Sequence, residues 1–222
     1  MGFLKKLFGK NTTKKEITKM ADVKLAIVYY SSTGTNYKMA KWAEEAAKQA
    51  GAEVRLLKVT ELAPDAAIAS NPAWKANHEA TADVPEATSG DLEWADAIIF
   101  SAATRFGGVA SQMKQFLDMQ GGLWATGKLV NKVVSAMSSA QNDHGGQEAS
   151  ILSLYTSLMH WGAIIAAPGY TDPVLFTTGG NPYGASATVD AEGNIVNDVK
   201  PAVEVQAKRT VDIASRIKAG NN

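Results

Sequence analysis

Residues 24–40 read KLAIVYYSSTGTNYKMA. An apolar run ends in two tyrosines, small hydroxyl residues and one glycine follow, and a helix-like pattern begins at once. Such a strand–turn–helix puts the turn at a helix N-terminus, where unpaired backbone amides and the positive end of the helix dipole favour an anion. Ser31, Ser32, Thr33 and Thr35 add hydroxyl donors, and Gly34 permits close backbone approach. On these residues alone, Ser31–Asn36 is either a well-capped connection or a neutral cradle for a phosphate, with no lysine or arginine in it.

The same apolar, β-branched character returns in EVRLLKV (53–59), AIIFSAA (97–103), KVVSAMS (132–138) and AIIAAPG (163–169). Runs this short and this apolar read as strands buried on both faces, as in a parallel sheet. Helical patterns lie between and after them: Asn36–Ala50, closed by Gly51 as a C-terminal cap, a shorter one ending near Trp94, Ser111–Met119, Gln147–Trp161 and Ala202–Lys218. The alternation predicts an α/β fold, a doubly wound sheet of five parallel strands with helices on both faces, in one domain spanning 23–222. Two segments, 61–90 and 168–200, break the alternation and read as long loops of the kind that carry function or subunit contacts.

The chain has 222 residues, 45% of them apolar, enough to bury a sizeable core. It has no cysteine, which excludes disulfides, thiolate metal sites and cysteine nucleophiles and is consistent with a cytoplasmic location. The formal net charge is zero, so nucleic acid is not an expected partner. That zero hides an asymmetry. Residues 1–20 hold six lysines and one glutamate, leaving 16 basic and 21 acidic residues elsewhere, a net charge of −5. Residues 1–22 therefore read as a basic leader, either flexible or in weak contact with an anionic membrane surface through Phe3, Leu4, Leu7 and Phe8. Its two lysines within the apolar patch argue against a secretory signal.

Other phosphate loops fail on their spacing. The turn at 31–36 has one glycine where a dinucleotide fingerprint needs three, and GLWATGKL (122–129) has Leu129 where a Walker A loop needs serine or threonine. His78, His144 and His160 lack metal-ligand spacing, so no metal is expected.

The turn YYSSTGTN resembles the phosphate loop of flavodoxin-like proteins, which hold FMN. The likeness sharpens in TRFGGVASQMKQFLD (104–118), GGLWATGKL (121–129), GGQE (145–148), HWGAII (160–165) and GGNPYGAS (179–186). Together these resemble the WrbA family of FMN-dependent NAD(P)H:quinone oxidoreductases over residues 24–218. The resemblance implies a flavodoxin-like sheet of order 2-1-3-4-5. It also implies that Ser31, Ser32, Thr33, Gly34, Thr35 and Asn36 take the FMN phosphate, while Thr104, Arg105, Phe106 and Gly107 line the flavin ring. Ser139, Ala140, Gln141, Asn142, Asp143, His144 and Gly145 would wrap its other side. His160 would reach FMN, often across a subunit boundary, and Trp124 would border the quinone. Read singly, Arg105 is equally a surface ion-pair residue, Phe106 packing, His160 a helix-end residue and Trp124 a core or interface residue.

The implied reaction passes hydride from NADH or NADPH to flavin and two electrons on to a quinone, with no side chain as acid or base. A homodimer or homotetramer is implied too. Two departures from the family stand out: Thr33 replaces an aromatic residue, and AQNDH (140–144) is more polar and longer than usual. The alternatives are a flavodoxin-type one-electron carrier, against which the Gly121–Leu129 and 168–200 segments speak, and a non-enzymatic FMN-bearing scaffold.

Overall fold

The computed structural model describes residues 22–220, so all but the last residue of the 1–22 leader lies outside the described residues. Strand β1 (Lys24–Tyr30) lies between β2 (Glu53–Lys58) and β3 (Ala97–Arg105), and β5 (Val133–Ala140) follows β3. All of these pairings are parallel. A two-residue strand, β4 (Gly108–Val109), folds back antiparallel on the end of β3. The order 2-1-3-4-5 is therefore present, with β5 as its fourth member.

Side chains along β1 alternate between two cores, as the two-residue period of a strand requires. Leu25, Ile27 and Tyr29 join Met39, Ala40 and Ala43 of α1 (Thr35–Gln49) and Val203, Ala207 and Val211 of the C-terminal helix (Lys200–Gly220). Ala26, Val28 and Tyr30 join Leu92, Met113, Phe116, Ile151 and Leu158 on the opposite face. Helix α1 ends as expected at Gly51, whose φ is +87°. The amide of Ala52 donates to Ala47 O at 3.1 Å and that of Gly51 to Lys48 O at 2.9 Å, a Schellman motif.

The structure differs from the sequence reading in two places. The 61–90 segment, read as a loop, holds helices α2 (Asp65–Ala69) and α3 (Pro72–Ala80) and the start of α4 (Ser89–Trp94), the short helix expected to end near Trp94. The Asn71 side chain caps α3 by accepting from the amides of Ala73 and Trp74, with Pro72 at the first helical position. Between β4 and β5 come α5 (Ser111–Asp118) and the short α6 (Gly121–Ala125), and α7 (Gln147–His160) follows β5.

The fifth strand is built from two pieces. Its first piece, β6 (Ile164–Ile165), pairs with Val133 and Val134 and stops short of Pro168, which lacks the amide needed to continue a ladder. The chain leaves the sheet, makes a 3-10 turn at Pro173–Phe176 and returns as β7 (Ser186–Thr188) beside Ser138–Ala140. Ala136 lies midway, where neither piece reaches it. Its amide donates to Tyr155 Oη at 3.2 Å, and its carbonyl accepts from Gln206 Nε2 at 2.9 Å. Gln206, on the C-terminal helix α8 (Lys200–Gly220), also accepts from the Ala185 amide at 2.7 Å. Side chains from both flanking helices thus complete the ladder, because buried backbone groups must be paired. Among the described residues, no helix is long and apolar enough to cross a membrane.

Candidate functional site

Three turns at C-terminal strand ends converge on a cleft of about 720 Å³, where ligands sit in open α/β sheets. The first turn is shaped by Ser31, whose Oγ accepts from the amides of Gly34 at 3.0 Å and Asn36 at 3.2 Å. Ser31 therefore closes the turn on itself. Gly34 stands before α1 with φ +95°, a left-handed conformation that glycine adopts without cost. The amides of Ser32, Thr33 and Thr35 have no acceptor among the described residues, and all three residues line the cleft.

Asn36 plays a different part from its neighbours. It is fully buried; its Nδ2 donates to Ser139 Oγ at 3.1 Å, and Ser101 Oγ donates to its Oδ1 at 3.4 Å. It ties the first turn to the middle of β3 and the end of β5.

The cradle is not free of cations, as the sequence reading had it. Arg105 Nη2 donates to Ser32 Oγ at 3.0 Å, which brings a guanidinium from the end of β3 onto the first turn. Next to it the β3–β4 hairpin turns through Phe106 and Gly107, with φ of +52° and +77°. Positive φ at both central residues fits the twist of a two-residue hairpin, but a phenylalanine held there is strained. Phe106 is fully exposed and lines the cleft. Ser150 Oγ donates to Gly108 O at 2.9 Å and is bonded at 2.8 Å to the Thr104 hydroxyl, which is left as the donor of that pair, so α7 holds the hairpin in place.

The third turn supplies Ser139, Ala140, Gln141, Asn142 and Gly145 to the cleft. Asn142 organises it: its carbonyl accepts from the Gly145 amide and from Gln147 Nε2, and its Oδ1 accepts from the His144 amide. Asp143 instead accepts from Thr188 Oγ1 at 2.9 Å, and His144 is exposed; neither lines the cleft. Gly146 packs so closely that a Cβ there would lie 2.6 Å from Gly107 Cα.

His160 and Trp124 are brought together elsewhere. Trp124 Nε1 donates to the His160 carbonyl at 3.0 Å, and both side chains are exposed. His160 ends α7, whose other end meets the cleft, and 14 helical residues span about 20 Å.

Two walls of the cleft escaped sequence reasoning. Asn71, Ala73 and Trp74 come from the start of α3, and Val189, Ala191, Glu192 and Gly193 from a turn after β7. The NP dipeptide at 71–72, an N-cap followed by proline, is a helix-start signal that locates the first wall. Trp74 is backed by Glu61, whose carboxylate accepts from Trp74 Nε1 at 3.2 Å, Tyr30 Oη at 3.1 Å and Gln112 Nε2 at 2.7 Å. Partial burial pushes the Glu61 carboxyl up, but hydrogen bonds from the Ala63 amide, Gln112, the Leu62 amide and Tyr30 outweigh it and hold the group below its ordinary range.

The family described as NADPH-dependent FMN reductase matches residues 23–171. A protein of Deinococcus radiodurans named NAD(P)H dehydrogenase (quinone) is 57% identical over 197 residues, which are 89% of this chain and 98% of that protein. A protein of the same name from Aromatoleum aromaticum is 39% identical over 209 residues, 89% and 99% of the two chains. Among solved structures, a flavodoxin described as WrbA-like from Agrobacterium tumefaciens superposes with a TM-score of 0.61 at 18% identity, covering 88% of this chain and 99% of that one.

Proposed function

Because the chain belongs to the NADPH-dependent FMN reductase family, we propose that it carries two electrons from NAD(P)H through FMN to a quinone. The observation that carries this reading is a single cleft that joins an anion-seeking turn, with three amides that have no acceptor among the described residues, to two further strand-end turns. FMN fits those residues: its phosphate suits the amides of Ser32, Thr33 and Thr35, and the cleft lies within the roughly 300–1,000 Å³ typical of cofactor pockets. When bound, FMN accepts a hydride and returns two electrons.

The chain's own work is positioning. Ser31 and Asn36 hold the first turn open-handed toward a phosphate, and the Arg105 guanidinium adds a positive charge at Ser32. The strained hairpin keeps the Phe106 ring at the cleft mouth, and the close fit of Gly146 against Gly107 lets α7 fix that hairpin. No side chain is required to move a proton.

Trp124 and His160, a helix length from their own cleft, serve the cleft of a neighbouring subunit in a homodimer or homotetramer. Supporting this, Trp124 on α6 is 59% exposed, and Met159, beside His160 at the end of α7, is 61% exposed. Sedimentation velocity on the FMN-loaded protein is expected to give an oligomer, and a monomer overturns the assignment.

The activity is tested by anaerobic mixing of FMN-loaded protein with NADH or NADPH, followed by one equivalent of benzoquinone. The flavin absorbance should bleach with at least one donor and recover fully with the quinone. A flavin that neither donor bleaches, but dithionite does, would withdraw the reductase reading in favour of a one-electron carrier.

A further inference from the structure

Among the described residues two aromatic side chains line the cleft, and they stand on different walls. Phe106 belongs to the hairpin after β3; Trp74 comes from α3, beside Ser31 and Ser32, and no strand-end turn supplies it. The Trp74 ring is fixed in advance. Its Nε1 donates to Glu61 at 3.2 Å, and that carboxylate is itself gripped by Tyr30, Gln112 and the amides of Leu62 and Ala63. The helix under the ring is pinned to the first turn by Asn77 Nδ2, which donates to Ser31 O at 2.8 Å. Five donors on one carboxylate are more than a rim tryptophan needs for packing. A ring held this rigidly loses little freedom when a ligand lands on it, which favours stacking.

We propose that Trp74 is the platform on which the adenine ring of the dinucleotide donor stacks, an assignment that rests on the reductase reading. Trp74 lines the cleft beside Ser31 and Ser32, the turn that would hold the FMN phosphate, whereas the hairpin bearing Phe106 would border the flavin ring. A ligand that must place one ring over the flavin and another over Trp74 has to be long and carry two planar groups. NADH and NADPH meet that requirement; a quinone does not. The nicotinamide must lie at the flavin to deliver hydride, so the adenine is the ring left for Trp74.

The direct test is calorimetric titration of ADP-ribose, which carries the adenine and lacks the nicotinamide, into FMN-loaded protein. Trp74→Ala is expected to weaken ADP-ribose about tenfold, and Trp74→Phe only about twofold, as base stacking on an aromatic predicts. Both titrations are made at saturating FMN, with the FMN affinity of each variant measured separately, so that any loss of cofactor is not read as loss of ADP-ribose. With reduced nicotinamide mononucleotide as donor, kcat/KM for flavin reduction should be the same in wild type and Trp74→Ala. Unchanged ADP-ribose affinity in Trp74→Ala, or an equal loss with reduced nicotinamide mononucleotide, overturns the proposal. If Trp74→Ala does not fold, Trp74→Leu keeps apolar packing without the π-face and carries the same expectations. Failure of the reductase reading would look different: wild type would bind ADP-ribose yet pass no electrons to benzoquinone. Wild type that reduces benzoquinone without measurable ADP-ribose binding would instead overturn the adenine platform alone.

Discussion

Gln206→Leu is expected to lower unfolding free energy by about 2–6 kcal/mol, the cost of leaving two buried backbone groups unpaired. Gln206 is fully buried and its amide is used at both ends: Oε1 accepts from the Ala185 amide and Nε2 donates to the Ala136 carbonyl. Leucine is close to it in bulk but satisfies neither group, and an unpaired buried polar group is costly. Gln206→Glu separates the two halves, since it keeps an acceptor for Ala185 and loses the donor to Ala136. Urea unfolding followed by circular dichroism measures both, with the slope on denaturant unchanged. A loss below about 1 kcal/mol for the leucine variant would mean that the Ala136 carbonyl finds another partner, against the usual cost of an orphaned group.

Gly146→Ala should cost the site far more than the fold. Gly146 has φ +94°, and a Cβ would lie 2.6 Å from Gly107 Cα and 3.3 Å from Thr104 Oγ1. The first contact is backbone, so no rotamer relieves it. The β3–β4 hairpin has to tilt away from α7, straining the Ser150 bonds to Thr104 and Gly108. Phe106 and Arg105 move with it. A displacement of about 1 Å at a positioned site costs on the order of 100-fold, so FMN affinity is expected to fall by about that factor. Quenching of flavin fluorescence on titration of apoprotein reads it. Gly51→Ala is the matched control: its φ is +87°, but a Cβ there meets nothing within 4 Å. It should lose about 1 kcal/mol of stability from backbone strain and keep wild-type FMN affinity. Equal loss of FMN affinity in both variants would assign the effect to strain rather than to the close approach.

The cradle at 31–36 was legible because its information is local. A strand, a turn of small donors and a helix start follow one another within 17 residues, and the geometry of a helix N-terminus does the rest. What each of those residues does inside the turn was not legible. Ser31 and Asn36 look equivalent to Ser32 and Thr35 in the sequence, and all four line the cleft, yet the Ser31 hydroxyl and the Asn36 side chain are used in shaping the turn while the amides of Ser32 and Thr35 have no acceptor among the described residues. Arg105 lies 73 positions from Ser32, so its charge on the cradle is a product of strand order, since β1 and β3 are neighbours. Trp74 was missed for a similar reason: the 61–90 segment is rich in alanine, proline and polar residues, and its helices are too short for a helical period to stand out.

The sequence by itself determined the alternation of buried strands and helices, the sheet that follows from it, and the phosphate-seeking turn where β1 gives way to α1. Those depend on periodicity and on capping, which act over a few residues. Only the tertiary structure decided how the fifth strand is completed, which hydroxyls are left over for a ligand, and which walls close the cleft. Those depend on which distant backbone groups lack a partner and which side chains can reach them: Gln206 and Tyr155 at Ala136, Arg105 at Ser32, and Glu61 behind Trp74.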